Sequence, residues 1–405
     1  MNMFRHGYVS GPIIGALWLV VISTTVAVAM SFATGDAFRP SILLSIFWGA
    51  IAGAATVTVL KQFGPMVVAG ALALAVVVLT LIGFGPLIIG EEVTLFSRLV
   101  GALILALSFG ISLVKILEDI PPAPLNRHEF EETWIRFLTG FGYIFFTAIV
   151  LIPFYVMVMT SLKSQQALLQ NPLDFSIDFS GDIFRSYREL FLDFSFGRYL
   201  WTSFYVSCLT VFITLAFSVP GAYAVARLRF TGRAAFSRSI LLIYMVPMIV
   251  LALPIYIAFS MTGLRNSVFG IVLIYPVTTI PVALYMLQGY FRGLPAEVEE
   301  AGLMDGLSRL RVIWKITLPL SLPAMASVSL YVFMIAWNEF LLAFMLLDDP
   351  SKFTLTRGVA MLNSSEIPRQ HLMAGAVIAT VPIMALFLGL ERFMTKGLTA
   401  GSVKG

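Results

Sequence analysis

Trp337-Asn338-Glu339 sets an indole, a carboxamide and a carboxyl side by side inside the apolar run 320–347 of a 405-residue chain. An acid near the centre of such a run costs on the order of 3 kcal/mol to place in a bilayer, so Glu339 is expected to face a protein interior or a wet cavity rather than lipid. The indole offers an apolar face and an N–H, and Asn338 and Glu339 offer groups that bind hydroxyls. Such a trio suits the path of a polar solute, and it suits equally the packing of helices between membrane subunits. Covalent chemistry has no comparable signature. His6, His128 and His371 lie far apart, Cys208 is the single cysteine, and no H-x-x-x-H or clustered Cys pattern suggests a metal site. No G-x-x-x-x-G-K-[ST] loop is present to hold nucleotide phosphates, so any ATP must be hydrolysed by another polypeptide. The chain is therefore expected not to be an enzyme, to bind no cofactor and to hold no metal. An intramembrane protease would need a metal motif, paired aspartates or a serine dyad.

The elements that position these residues are membrane spans. Hydrophobic residues make up 59% and charged residues 12% of the chain, and the mean hydropathy is +0.93. A soluble globule has an apolar fraction nearer 45–50%. A helical crossing needs about 20 apolar residues, and ten runs qualify, near 11–32, 41–60, 65–88, 95–116, 138–160, 200–226, 238–261, 266–291, 320–347 and 371–395. The expected fold is an all-α polytopic membrane protein with about ten spans. Lys and Arg collect on cytoplasmic loops. With the N-terminus inside, all but ten of the 26 basic residues fall on the cytoplasmic side, which places both termini and the 292–319 loop there. The basic pI of about 9.1 then reflects topology rather than nucleic acid. The first span follows Arg5 and has the look of a signal peptide, but its length and the spans after it favour retention.

Residues 118–136, EDIPPAPLNRHEFEETWIR, combine three prolines with dense charge and read as a linker. The expected organisation is a four-span module at 1–120, a charged Pro-rich cytoplasmic linker at 121–137, a six-span core at 138–396 and a cytoplasmic tail at 397–405. Only the later spans carry interior prolines, which suit helices that move against each other.

Between Glu300 and Pro319 the chain reads EAGLMDGLSRLRVIWKITLP. Pro295 suits a first helical turn, and Glu297, Glu299 and Glu300 place negative charge near the positive end of the helix dipole. Gly306 suits a left-handed helix end, Ser308 a cap, and Arg309, Arg311 and Lys315 follow on a second helix. The segment is thus expected to be a short helix-turn-helix. Leu303, Leu307, Leu310 and Trp314 recur at helical spacing and form one face for a partner groove. Taken alone, the same pattern also describes an amphipathic loop on the lipid surface.

The spacing Glu300-Ala301-Gly302, three residues, Gly306, nine residues, Ile316-x-Leu318-Pro319 resembles the EAA loop of permease subunits in bacterial binding-protein-dependent ABC importers, with Gly302 where the third small residue is usually Ala. The AYAVARLRFTGR stretch at 222–233, GYFRGLPAEVEEA from Gly289, WNEF at 337–340 and GLTAGSVKG at 397–405 are similar to the carbohydrate-importing, maltose-type branch. The likeness covers roughly 135–405; Thr202-Ser203 departs from an Asn-Ser that many relatives carry.

The resemblance implies a type I ABC importer permease core of six helices with an added four-helix N-terminal module. The chain would form half of a translocation pore in the bacterial inner membrane. It implies partners: a second homologous permease, an ATPase dimer that holds ATP and Mg, an external solute-binding protein, a carbohydrate-like solute and membrane lipid. It assigns ATPase coupling to Glu300, Ala301, Gly302, Asp305, Gly306, Ile316, Leu318 and Pro319; a substrate path at Trp337, Asn338 and Glu339 rests on the chemistry of those residues, with helix packing between the two permeases as the alternative. The tail 397–405 would reach into the ATPase dimer. An ion-coupled secondary carrier would place ionisable residues or broken helices near the midplane, where Glu339 is the one clear acid. A non-transporting scaffold would need no dock for a binding protein. The loop 161–199, with Phe175, Phe179, Phe184, Tyr187, Phe191, Phe194, Phe196 and Tyr199, suits such a dock or an interfacial helix without a partner.

Overall fold

The computed structural model describes residues 5–170 and 181–399, and it divides into two compact units at Ile183/Phe184. Among the described residues, nine helices are long and apolar enough to cross a membrane.

The first unit holds α1 (Gly7–Thr34), α2 (Ile42–Phe63), α3 (Pro65–Ile82), α4 (Leu95–Ile116), α5 (Arg127–Ser161) and the short α6 (Gln165–Gln170). Strands β1 (Phe38–Pro40) and β2 (Leu87–Ile89) join the α1–α2 and α3–α4 connections as a small antiparallel pair, with Arg39 opposite Ile88. This pair is an addition to the expected all-α fold; it satisfies backbone groups of two loops that emerge together.

Glycine governs how α1 meets α2. Gly11 and Gly15 face Gly49 and Gly53, four residues apart on each helix, so that the backbones touch. A Cβ at Gly15 would stand 2.8 Å from Gly53 Cα, and one at Gly49 would stand 2.7 Å from Ala16 Cα. Gly15→Ala is therefore expected to force the helices apart and cost about 1–3 kcal/mol as overpacking. Gly70→Ala, where a Cβ meets nothing within 4 Å, should be neutral or slightly stabilising. Thermal unfolding of the purified chain in detergent reads both, and equal midpoints would remove this role for the glycines.

Helix α5 explains why the compact units do not divide at the expected linker. Asn126 Oδ1 accepts from the Glu129 N–H at 2.8 Å and Glu129 Oε2 accepts from the Asn126 N–H at 2.9 Å. This capping box starts the helix at Arg127, inside the 121–137 segment. From there Phe137 packs edge-on against Trp18, Trp134 packs on Phe137, and the Tyr155 hydroxyl donates to the Phe32 carbonyl at 2.7 Å, so α5 groups with α1.

The second unit begins with α7 (Arg185–Leu192) and the long α8 (Phe196–Arg227), followed by α9 (Arg233–Tyr244), α10 (Met248–Met261) and α11 (Val268–Gly293). It continues through α12 (Ala296–Met304), α13 (Arg309–Val312), a π-helical turn at Ile313–Thr317 and α14 (Leu318–Asn338). Last come α15 (Leu341–Leu346), a 3-10 turn at Pro350–Lys352, α16 (Leu355–Met361) and α17 (Arg369–Thr399). Helices α8, α11, α14 and α17 build its core, and a buried Thr214–Thr279 hydroxyl pair at 2.6 Å joins α8 to α11.

The expected span 238–261 is not one helix. It breaks at Met245–Pro247 into α9 and α10, because proline has no N–H for the ladder and drives its predecessor out of the helical region. The expected span 320–347 likewise ends as regular helix at Asn338.

Candidate functional site

Pro295 precedes α12 with φ −59° and ψ 128°, and Glu297 and Glu299 occupy its first turn. Gly306 ends the turn at φ +81°, and the Leu307 N–H donates to the Gly302 carbonyl at 3.1 Å. The helix-turn-helix expected from the residues is present. Two details differ. Ser308 sits at the N-cap of α13 in extended conformation, but its side chain makes no capping bond. The second helix runs on through the π turn into α14, so it is the foot of a span rather than a free element.

The expected apolar face is divided. Leu303 and Leu307 turn partly inward, while Met304, Leu310 and Trp314 remain largely exposed. Leu310 and Trp314 border an apolar groove of about 810 Å³ with Phe212, Val219, Ile313 and Leu318. Among the coupling candidates, Gly302 and Ile316 come together: a Cβ at Gly302 would stand 2.6 Å from Ile316 Cδ1. An alanine there needs only the flexible end of Ile316 to yield, so a small residue is required but not glycine itself. Glu300, Ala301, Asp305, Gly306 and Pro319 lie on the surface, and Leu318 is half-buried.

The group that holds the segment to the spans is Glu299, which in the sequence stands only as a helix-dipole charge. Its Oε2 accepts from the Tyr223 hydroxyl at 3.2 Å, and its Oε1 accepts from the Thr317 hydroxyl at 3.0 Å. The same Oε1 lies 3.6 Å from Arg227 Nε, in a pair whose side chains are 13% and 14% exposed. Arg227 Nη2 also donates to the Leu294 carbonyl at 2.6 Å, just before α12. One carboxylate thus ties α12 to the end of α8 and the foot of α14. Tyr223 and Arg227 stand four apart on α8, a spacing that puts both on one helical face. Nothing local in the sequence pairs that face with Glu299.

At the other candidate site the helix unwinds at Glu339 itself, rather than carrying it mid-span. Glu339 Oε1 and Oε2 accept from the N–H groups of Leu342 and Ala343 at 3.0 and 3.3 Å, so the carboxyl opens a new helix, α15. A side chain that captures nearby amides competes with the continuing ladder. The Glu339 carbonyl accepts from the Thr356 hydroxyl at 2.7 Å, and the fully buried Tyr275 hydroxyl faces Glu339 and Thr354. Trp337 is buried, stacks on Phe333, and donates its indole N–H to the Ala379 carbonyl at 3.1 Å. Asn338 is exposed and donates to the Met334 carbonyl at 2.9 Å. Ser203, whose role the departure at Thr202-Ser203 left open, caps α16 by accepting from the Leu355 N–H at 2.7 Å.

Of the aromatic loop, Phe175 and Phe179 lie outside the described residues. Phe196 and Tyr199 are core residues, with Tyr199 against Gly358 and Phe353, and belong to no surface. Phe184 and Phe191 stay exposed on and beside α7. That helix is pinned by Glu189, whose carboxylate meets Arg185 Nε at 2.7 Å and His371 Nε2 at 2.6 Å. The Arg185 hydrogen bond, aided by His371, holds the Glu189 carboxyl below its ordinary range. Residues 400–405 of the tail also lie outside the described residues.

Residues 218–399 match the family described as the binding-protein-dependent transport system inner membrane component. The chain is 35% identical over 270 residues to the inner membrane ABC transporter permease protein YcjP of Escherichia coli, covering 65% of this chain and 95% of that one. It is 33% identical over 279 residues to the trehalose/maltose transport system permease protein MalG of Thermococcus litoralis, covering 68% and 99%. To the trehalose transport system permease protein SugB of Mycobacterium tuberculosis it is 34% identical over 225 residues, covering 55% and 82%. Among solved structures, a chain of a bacterial ABC transporter that imports the acidic polysaccharide alginate matches with a TM-score of 0.55 at 24% identity, covering 65% and 97%. The fold is therefore shared with an importer chain, and about a third of this chain lies beyond the relatives' length.

Proposed function

The chain belongs to the family of inner membrane components of binding-protein-dependent transport systems, and from that premise we propose that it is the permease subunit of an importer for a carbohydrate or related solute. As a family member it is a multi-pass inner-membrane transport subunit and not an enzyme. The carbohydrate reading is supported by relatives named for trehalose and maltose transport, matched over 99% of one of them.

The observation that carries the coupling reading is the exposed helix-turn-helix at 296–312. Its surface residues Glu300, Ala301 and Asp305 are free to meet a partner, while Glu299 transmits its position to α8 and α14. In this reading α12 docks on a separate ATPase dimer, which holds ATP and Mg. Closure of that dimer moves α12, and the spans switch the cavity between inward-facing and outward-facing states. Each state change requires differential binding to the two conformers. A second permease completes the pore, and an external binding protein delivers the solute. Both termini and the 292–319 loop lie on the cytoplasmic side, with residues 138–396 as the six-span core, 1–120 as an added module and 397–405 reaching toward the ATPase.

The test is reconstitution of the whole transporter in proteoliposomes with its binding protein. ATP-dependent uptake of labelled maltose, trehalose or another oligosaccharide is expected. Uptake driven by an ion gradient without ATP would replace this reading with a secondary carrier, and absence of uptake for every sugar that the binding protein retains would end the carbohydrate assignment.

Trp337, Asn338 and Glu339 are proposed to border the solute path, with Asn338 reaching it and Trp337 fixing the wall. Glu339→Ala removes the cap of α15, a loss of about 0.5–2 kcal/mol. Uptake is expected to slow with basal ATPase activity intact, whereas Glu339→Gln, which retains one acceptor, should lie between. An assembled Glu339→Ala complex with unchanged uptake kinetics and unchanged melting would refute both the cap and the path.

A further inference from the structure

We propose that the cleft beside the start of α9 binds the phosphate headgroup of an anionic phospholipid. The cleft measures about 560 Å³ and is lined by Arg233, Arg238 and Arg292, together with Ser237 and Phe230. Three guanidiniums at one opening suit a multiply bonded phosphate. The chain around them supplies no acid: neither 222–244 nor 285–295 contains Asp or Glu. Just past Pro295 come Glu297 and Glu300, both exposed, and Glu299, which is committed to Arg227.

Two of the arginines are held in place from behind. Arg233 donates from Nε to the Val225 carbonyl at 2.6 Å and from Nη2 to the Ala226 carbonyl at 3.0 Å. Gln288, 6% exposed, lies within hydrogen-bond reach of Ser237, and with its amide oxygen turned toward Arg292 it accepts from Nη2 at 2.5 Å. Neither arrangement neutralises a charge. Both aim one at the opening, so less freedom is lost when a ligand arrives.

The occupant is a lipid rather than an acidic protein segment because the rim is apolar. Phe230 in the lining and Phe236 beside it on α9 are about half exposed, Leu242 further along α9 is 64% exposed, and Met245 just past the end of α9 is 75% exposed. A headgroup on the arginines with acyl chains along Phe236 and Leu242 matches both halves of the surface. Basic pockets beside membrane helices bind anionic headgroups in this way. Headgroup binding at this cleft is independent of the transported solute.

The purified full chain is exchanged into nanodiscs containing equal amounts of phosphatidylglycerol and phosphatidylcholine, and retained lipid is counted by native mass spectrometry. The wild type is expected to retain phosphatidylglycerol preferentially. The double variant Arg238→Gln/Arg292→Gln should lose most of that preference, by several-fold. Arg238→Lys/Arg292→Lys should keep part of it, and Lys352→Gln, at a distant basic residue, should keep all of it. Equal losses in the Lys352→Gln control would overturn the site. So would displacement of phosphatidylglycerol by millimolar inorganic phosphate, which marks a soluble-anion site. Unchanged lipid preference with loss of a copurifying ATPase in the Gln double variant would assign the cleft to a protein contact and overturn the lipid assignment.

Discussion

Glu299→Ala is expected to abolish transport and to lower the yield of folded protein. The substitution strands Arg227, 14% exposed, and leaves the Tyr223 hydroxyl without its acceptor. Removing one partner of a buried pair costs about 3–5 kcal/mol, because the remaining charge is left uncompensated in a poorly solvated place. That is a large part of the stability of most domains. The pairing itself need not be stabilising. Glu299→Met with Arg227→Met removes both charges and is expected to recover much of the melting midpoint while transport stays lost, since α12 no longer has its tether to α8. Thermal unfolding and binding-protein-stimulated ATPase activity separate the two effects. Full transport by the double variant would show that apolar packing alone couples the segment, and a melting midpoint unchanged in Glu299→Ala would deny the network its structural weight.

Gly306→Val should be the second severe variant, and for a backbone reason. At φ +81° a Cβ crowds the carbonyl of the preceding residue, and a branched side chain is worst placed, with a cost of about 1–3 kcal/mol for a non-glycine residue held there. No neighbour lies within 4 Å of the added Cβ, so crowding plays no part. The turn between α12 and α13 should shift or loosen, and binding-protein-stimulated ATPase activity should fall at least tenfold with insertion intact. Glu300→Lys offers the contrast. Glu300 is exposed, so its reversal should leave melting unchanged while it weakens the contact with the ATPase. Wild-type stimulation in both variants would refute a coupling role for the segment.

Gly306 and Glu299 differ in how local their roles are. Gly306 was legible because a turn with positive φ favours a residue without Cβ, and that preference is local. Glu299 was visible as one more acid in a helix's first turn. Its role depends on partners 76, 72 and 18 positions away in the chain. The glycines of α1 and α2 lie between these cases: their four-residue spacing is written in each helix, but which helix each one meets is not. Pro247 falls within an expected span because hydropathy averages over a window, whereas the helix breaks at a single missing N–H. The start of α5 at Arg127 was likewise present as N-x-x-E, but dense charge and prolines made the whole stretch read as linker.

By itself the sequence determined that the chain is helical and crosses a membrane, since hydrocarbon leaves the backbone little choice but to satisfy its polar groups within helices. It also determined the turn at Gly306 and the family likeness, because both depend on residue types at short, fixed separations. Tertiary structure decided which carboxylate anchors α12, which way the apolar residues of that segment divide, and that Glu339 opens a helix instead of sitting within one. It decided, too, that Arg233, Arg238 and Arg292 share a cleft. These outcomes depend on which helices pack together and at what rotation, a property of many weak contacts between distant segments that no local pattern encodes.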